Sequence, residues 1–196
     1  MVTLPLIYLA SRSPRRVELL KQMGVDCLIM PADIDESPLA NELPAQYVRR
    51  LAQEKAQACL SNLTPAQRQH VVLAADTTVA LADKILGKPD NDDDARAMLQ
   101  MLSASEHQVY TAVAVAYAGK IEVALSSTIV SMMPLSNAQI EAYIATGEHR
   151  DKAGSYGIQG VAGAWICRIE GSYTGVMGLP VFETAALLRK IGLLII

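Results

Sequence analysis

Runs of apolar residues along the chain alternate with amphipathic segments. Continuous or alternating apolar runs are typical of β-strands. They predict strands over residues 6–9, 25–30, 71–75, 79–81, 84–86, 108–118 and 121–132. Short turns at Ala82-Asp83 and Gly119-Lys120 are expected to join the last two pairs into hairpins. A further hairpin is predicted across Gly171, between a strand over residues 164–170 and one over residues 172–176.

Apolar residues at helical spacing, bounded by capping residues, predict five helices. They are expected over residues 14–23, with the apolar spacing from 17 to 23, and over residues 44–60, 91–102, 136–145 and 180–191. The acidic run Asp92-Asp93-Asp94 suits the positive end of a helix dipole, and a metal site is the alternative to this simple cap. The glycine-rich stretch over residues 147–160 is much longer than an ordinary connection, which is typical of a binding loop.

The stretch from Ser11 to Arg16 joins the first strand to the first helix and has the chemistry of an anion site. Ser13 suits the helix N-cap, where its hydroxyl can accept a free backbone amide, and Pro14 suits the first helical position. Backbone amides, two serine hydroxyls and three arginines would then converge at the end of a strand, which is how proteins hold phosphate. The alternative is a capped surface helix with solvated arginines.

Three more charged residues stand at positions that suit a site. Lys55 lies in the apolar stripe of the second helix, so its ammonium either reaches solvent or lies at the rim of a pocket. Asp76 directly follows the apolar strand over residues 71–75, and Lys88 is fixed between a glycine and a proline. Cations outnumber acids among these candidates. Such a mixture suits a nucleotide, because cations hold its phosphates while carboxylates hold a divalent metal and activate water.

Composition narrows the class of protein. The chain has 196 residues, 51% of them hydrophobic and 19% charged, which is enough for one folded unit with a large core. A net charge of −3 argues against a nucleic-acid polymer or an acidic membrane as a partner. Cys27, Cys59 and Cys167 are far apart and odd in number, which favours the reducing cytoplasm over a disulfide framework. No signal peptide or membrane span is expected, and residues 193–196 are either a last strand or a subunit contact.

The chain resembles the Maf proteins, nucleoside triphosphate pyrophosphatases related in fold to the inosine triphosphate pyrophosphatases. The resemblance covers essentially all of residues 1–196 as a single domain. Its motifs are LASRSPRR at 9–16, DE at 35–36, EKA at 54–56, ADT at 75–77, GKP at 87–89, DKAGSYGIQG at 151–160 and GLP at 178–180. The branch that hydrolyses dTTP and UTP has Arg, Thr and Gln where Arg15, Thr77 and Gln159 stand. The sister branch, associated with 7-methyl-GTP, has Trp and Glu in place of Arg15 and Gln159.

This resemblance implies a mixed α/β fold, with a twisted sheet flanked by helices around a nucleotide cleft, and usually a homodimer. It implies that a nucleoside triphosphate and water give the monophosphate and pyrophosphate, with Mg²⁺ or Mn²⁺ as the cofactor. It also makes Asp76 the general base and Glu36 a neighbouring carboxylate, both at the metal, and places Arg16, Lys55 and Lys88 on the phosphates.

The base preference is expected to rest on Gln159. Its amide offers one acceptor and one donor, which match the N3–H and O4 of uracil or thymine. Cytosine could pair with a flipped amide, so discrimination against it depends on whether neighbours lock the Gln159 side chain. Ser11, Arg15 and Thr77 complete the expected substrate contacts, and modified pyrimidine nucleotides are further candidate substrates.

Two alternatives to a dTTP/UTP pyrophosphatase stay open from the sequence. One is a Maf pyrophosphatase of the 7-methyl-GTP type, and the other is a nucleotide-binding regulator of cell division or septum formation. An intact set of Asp76, Glu36, Lys55 and Lys88 favours catalysis, because a pure sensor has no need of a water-activating carboxylate beside two lysines.

Overall fold

A mixed β-sheet with helices on both faces forms the centre of the structure, a computed structural model that describes residues 6–193. The strands are β1 (Ile7–Leu9), β2 (Cys27–Ile29), β3 (Val71–Leu81), β4 (Lys84–Leu86), β5 (Glu106–Tyr117), β6 (Lys120–Met132) and β7 (Ile166–Glu170). The helices are α1 (Pro14–Gln22), α2 (Pro44–Asn62), α3 (Asp92–Leu102), α4 (Asn137–Thr146), α5 (Tyr173–Met177) and α6 (Val181–Lys190). The mixed α/β architecture expected from the sequence is thereby confirmed.

The strand β3 lies at the centre of the sheet and leaves part of one edge open. The strand order is β2-β1-β3-β5-β6-β7, with β4 also beside β3. β1 pairs in parallel with residues 71–73, β4 pairs with residues 79–81, and β5 covers the opposite edge from residue 72 to residue 80. Within the described part of the chain, residues 74–78 therefore have no strand partner on the first edge. This gap is where polar side chains can meet.

Consecutive residues of β3 face opposite layers of helices, because side chains alternate between the two faces of a strand. Ala74 packs in the core around α2, and Ala75 packs in the core around α1 and α6. Asp76 consequently points toward the α2 layer and Thr77 toward the α1 layer. A third apolar core joins α3 and α4 to the other end of the sheet.

Most predicted elements are confirmed, including the N-caps at Asn91 and Ser136. The two long strands form the hairpin of β5 and β6, paired from Glu106–Ser131 to Tyr117–Lys120. The acidic start of α3 is a cap, in which Asn91 Oδ1 accepts a hydrogen bond from the Asp94 amide at 2.9 Å. Among residues 6–193, no group of three or more His, Cys, Asp or Glu side chains is arranged to hold a metal ion.

Two predicted elements are wrong, and both errors lie next to functional residues. The runs over 71–75 and 79–81 belong to one strand, because pairing with β5 continues through Asp76. Asp76 therefore lies inside a strand and not at its end. The predicted strand over residues 172–176 is the short helix α5, because the Ser172 hydroxyl accepts the Gly175 amide at 3.0 Å and caps a helical turn.

Only Leu193 of the C-terminal segment 193–196 belongs to the described part of the chain. Of the C-terminal segment expected to be a strand or a subunit contact, residues 194–196 lie outside the described residues. Leu193 packs against the apolar core around α1 and α6. None of the helices within residues 6–193 is long and apolar enough to cross a membrane.

Candidate active site

A cleft of about 800 Å³ opens over the uncovered edge of β3. Its walls come from the β1–α1 turn, the β3 edge, the segment after β4 and the loop over residues 151–160. All nine site residues predicted from the sequence line it: Ser11, Arg15, Arg16, Glu36, Lys55, Asp76, Thr77, Lys88 and Gln159. The fold thus brings together residues that are up to 148 positions apart in the sequence.

A lysine shared by two carboxylates lies at the base of the cleft. Lys55 Nζ is 2.6 Å from Asp76 Oδ1 and 2.9 Å from Glu36 Oε1. Lys55 and Asp76 are only 7% and 6% exposed, so the ammonium is not a solvated surface group. The pocket position, one of the two alternatives for Lys55, is the one observed. It follows from the fold, because α2 covers the face of β3 to which Asp76 points.

The two carboxylates of this cluster have pKa values displaced in opposite directions. Burial raises the pKa of Asp76, although the charges of Lys55 and Arg16 oppose the shift. Burial also acts to raise the pKa of Glu36, but the hydrogen bond and charge of Lys55, with Lys88 and Arg16, outweigh it and lower that pKa. Asp76 is therefore the more basic carboxylate, and Glu36 stays ionised. Such divergence between neighbouring acids is a signature of separate acid–base roles.

Arg16 is held by neutral groups on three sides. Its Nε donates to the Gly178 carbonyl at 2.7 Å, Nη1 to Ser11 Oγ at 3.0 Å and Nη2 to Thr77 Oγ1 at 3.2 Å. It forms no ion pair with a carboxylate among residues 6–193. A fixed guanidinium without a counterion is suited to an anionic ligand, because it keeps donors and full charge available.

At the start of α1, Ser11 and not Ser13 provides the side-chain hydrogen bond that closes the turn. Ser13 occupies the N-cap and Pro14 the first helical position, but the Ser13 hydroxyl forms no capping hydrogen bond. Instead Ser11 Oγ accepts the Ser13 amide at 3.2 Å and also accepts from Arg16. Ser11 therefore orients the turn and the arginine together. The expected cap by the Ser13 side chain is wrong because the turn is closed by the residue two positions earlier.

The remaining predicted residues lie around the same cleft. Arg15 Nε donates to the Met177 carbonyl at 3.3 Å, which ties α1 to α5. Thr77 Oγ1 accepts from Arg16 and from Thr111 Oγ1, the latter at 3.0 Å. Lys88 lines the cleft, and Gln159 is exposed to it.

The loop over residues 151–160 is folded tightly against the Lys88 segment. The Gly154 amide donates to the Gly87 carbonyl at 3.0 Å. Gly154 has φ +68°, and a Cβ there would lie 2.9 Å from Val79, so only glycine fits. The non-glycine residues Asp151 and Ser155 also have positive φ, at 59° and 63°. This loop is therefore fixed by its own backbone and by contacts with the central strand.

The sequence did not assign three residues that help to form the site. The Tyr47 hydroxyl donates to the Glu36 carbonyl at 2.8 Å and holds that segment against α2. The sequence could have indicated Tyr47, because Tyr47 and Lys55 are eight residues apart and therefore lie on one face of a helix. Glu148 and Lys152 also line the cleft. Both lie in the predicted binding loop over residues 147–160, but nothing in the sequence pattern gives either side chain a particular role.

The donor set suits a hard divalent cation. Mg²⁺ prefers oxygen ligands and is commonly held by one or two carboxylates together with substrate phosphates and water. Glu36 and Asp76 supply two carboxylates close enough to share one ammonium. Because no third acidic ligand joins them among the described residues, phosphate oxygens or water would have to complete the coordination.

A buried carboxylate of raised pKa beside an arginine that forms no ion pair among residues 6–193 has the chemistry to bind a phosphate compound and act on it. The family model described as "Maf-like protein" matches residues 6–191. The chain therefore belongs to the Maf family, as its motifs predicted.

Several curated relatives are similar over almost their whole length. A protein of Methylobacillus flagellatus named dTTP/UTP pyrophosphatase is 59% identical over 96% of this chain and 94% of its own. A dTTP/UTP pyrophosphatase of Chromobacterium violaceum is 53% identical over 95% and 94%. The solved Ham1 protein of Staphylococcus aureus aligns with a TM-score of 0.48 and 12% identity, over 65% of this chain and 71% of that one. That likeness is too weak to bear on function.

Proposed function

We propose that this protein is a nucleoside triphosphate pyrophosphatase that hydrolyses dTTP and UTP to the monophosphate and pyrophosphate. The observation that carries the proposal is Asp76, a buried carboxylate of raised pKa that contacts Lys55. Beside it lies the Arg16 guanidinium, which forms no ion pair among residues 6–193. Full-length relatives named dTTP/UTP pyrophosphatase support the same activity. A protein that only senses nucleotides would have no need of a buried carboxylate that can activate water.

Asp76 acts as the general base in this proposal. Its raised pKa makes it a better proton acceptor than an ordinary aspartate. It faces the cleft from residues 74–78 of β3, whose edge opposite β5 has no strand partner among residues 6–193. A water activated by Asp76 attacks the α-phosphorus, and the bond to the β-phosphate oxygen breaks. The Lys55 ammonium stabilises the ionised form of Asp76 between turnovers and orients its carboxylate through the 2.6 Å contact.

The cations of the cleft hold the phosphates. Negative charge accumulates on the leaving pyrophosphate, so Arg16, Lys55 and Lys88 stabilise the transition state more than the bound substrate. Ser11 contributes by fixing the Arg16 guanidinium. A diphosphate offers one phosphate fewer to these groups and is expected to be a poorer substrate.

A divalent cation, Mg²⁺ or Mn²⁺, is the cofactor that we propose, held by Glu36 and Asp76 with the phosphates of the substrate. When bound, it neutralises charge on the phosphates and favours departure of pyrophosphate. The lowered pKa of Glu36 supports this role, because the carboxylate stays ionised and available as a ligand.

The pyrimidine base is assigned to the end of the cleft formed by the loop over residues 151–160. Gln159 provides the donor and acceptor that uracil and thymine require. Arg15 lines the same cleft from α1, and Thr77 orients Arg16 there by accepting its hydrogen bond. Modified pyrimidine triphosphates with an unchanged N3–O4 edge are accepted on the same grounds.

We further propose a cytoplasmic protein that acts on a small-molecule nucleotide and forms a homodimer, with no nucleic-acid polymer as partner. Cys27, Cys59 and Cys167 are free thiols, which fits a reducing compartment. The Phe182 side chain is 75% exposed on α6, and a subunit contact would bury it. Sedimentation of the purified chain measures the oligomeric state.

Product analysis tests the proposed reaction. The full chain is incubated with Mg²⁺ and UTP, dTTP, CTP, GTP or 7-methyl-GTP, and pyrophosphate and orthophosphate are detected separately. We expect pyrophosphate as the first product, the highest kcat/KM for UTP and dTTP, and no turnover after chelation of the metal. Orthophosphate as the first product, with the diphosphate remaining, would contradict the assignment of the cleaved bond.

A further inference from the structure

Two glycines flank Gln159, and a charged side chain passes beneath each of them. A Cβ added to Gly160 would lie 2.0 Å from Glu148 Oε2 and 2.8 Å from Glu148 Cδ. A Cβ added to Gly157 would lie 2.7 Å from Lys152 Cε. Such distances are far below van der Waals contact. The backbone on both sides of Gln159 therefore rests directly on Glu148 and Lys152.

Hydrogen bonds tie the same parts together. Glu148 Oε2 accepts the Val161 amide at 3.0 Å, and Lys152 Nζ donates to the Glu148 carbonyl. The Gly160 amide donates to the Gly157 carbonyl at 3.1 Å, which closes the turn around Gln159. Each end of the turn is thus in contact with a side chain from residues 148–152.

We propose that Glu148 and Lys152 brace the turn that carries Gln159 and are thereby positioning residues for recognition of the pyrimidine base. The inference rests on the proposed function for its substrate. Discrimination between uracil and cytosine by one glutamine amide depends on where the amide is held, since the amide can present either edge. The Gln159 side chain is exposed, so the position of its backbone controls its approach to the base.

The glycine at position 160 allows the brace to be tested by a double-mutant cycle. Glu148→Ala removes the acceptor for the Val161 amide. Gly160→Ala introduces a Cβ that displaces the same carboxylate, while its backbone, with φ −100°, suits alanine. If both variants act by breaking one contact, their effects are not additive, and the double variant should behave like Glu148→Ala alone.

The experiment measures kcat/KM for UTP and CTP in each variant. We expect the UTP-to-CTP ratio to fall roughly tenfold in Glu148→Ala and in Gly160→Ala, which is the size expected for loss of one charge-assisted hydrogen bond. Glu148→Gln retains an oxygen that can accept the Val161 amide, so it should keep a ratio close to that of the wild type. Glu170→Ala, which removes an exposed carboxylate on β7, is the matched control and should leave the ratio unchanged.

Hydrogen exchange of the peptide spanning residues 157–163 supplies a second readout that needs no substrate. We expect faster exchange in Glu148→Ala and in Gly160→Ala than in the wild type or in Glu148→Gln. Wild-type exchange and an unchanged ratio in both variants would overturn the brace. A uniform loss for all nucleotides, or additive effects in the double variant, would also overturn it. A wild type that hydrolyses no pyrimidine triphosphate would instead refute the proposed function, and the exchange data would still decide whether the brace exists.

Discussion

Replacement of Asp76 by asparagine separates the chemistry of the site from its shape. The amide occupies the same volume and can still accept from Lys55, but it cannot take a proton from water. General-base catalysis contributes about 10² to 10⁴ in rate. The raised pKa of Asp76 favours the upper part of that range, because a stronger base contributes a larger factor to the rate. We therefore expect kcat to fall at least about 100-fold in Asp76→Asn, with nucleotide binding retained.

The same substitution has a calculable effect on stability. Removal of one partner from a buried ion pair costs about 3 to 5 kcal/mol when the other charge is left alone. Lys55 keeps Glu36 at 2.9 Å, and burial already disfavours the ionised form of Asp76 in the folded chain. We therefore expect the free energy of unfolding to change by no more than about 1 kcal/mol. The variant should stay folded under assay conditions, which urea unfolding can verify.

The assay compares single-turnover hydrolysis of UTP with equilibrium nucleotide binding. Asp83→Asn, in the exposed turn before β4, is the matched control and should have the rate of the wild type. A turnover within a few-fold of the wild type in Asp76→Asn would refute the role of this residue as base. Equal losses of binding and rate would assign it to substrate positioning instead.

Three further predictions concern other parts of the molecule. Gln159→Glu places two acceptors opposite O4, so kcat/KM for UTP should fall about 10- to 100-fold; an unchanged rate would remove Gln159 from base recognition. Arg16→Lys keeps the charge but not the three directed hydrogen bonds, so kcat/KM should fall at least about tenfold, and wild-type kinetics would contradict the phosphate role. Burial lowers the pKa of His107 from 6.5 to about 4, so the proton binds more tightly to the unfolded chain. The free energy of unfolding should therefore decline by roughly 3 kcal/mol as the pH falls from 6.5 to 4. In His107→Gln, measured by urea unfolding across the same range, most of this pH dependence should be lost. An identical pH profile in the variant and the wild type would contradict the assignment of this pH dependence to His107.

Local patterns were sufficient to predict most of the helices and strands. The hairpin of β5 and β6 has alternating apolar residues, and the caps at Asn91 and Ser136 satisfy backbone amides within their own helices. These features depend on neighbours in the sequence, so the chain itself carries them. The site residues were identified because their motifs resemble those of a known family, not because spacing alone required them.

The errors arose where distant contacts decide the structure. Nothing in the sequence around Asp76 indicates that β5 pairs through it, so a polar triplet after an apolar run predicts the end of a strand. The roles of the brace residues Glu148 and Lys152 could not be assigned for the same reason. Lys152 contacts the backbone five positions away at Gly157, and Glu148 contacts it twelve and thirteen positions away, at Gly160 and Val161. Sequence patterns report local order well and tertiary contacts poorly.

Because Asp76 and Thr77 are adjacent on β3, insertions and deletions in this strand have a particular effect on the site. One residue supplies the base on the α2 face, and the next supports Arg16 on the α1 face, only because strand side chains alternate. A slip of β3 by one position against β5 would exchange the two faces, even though alanine and valine on either side could still be buried. Such a slip would still bury small apolar residues, but it would turn Asp76 away from Lys55 and Thr77 away from Arg16. Insertions or deletions in this strand should therefore abolish catalysis before they abolish folding.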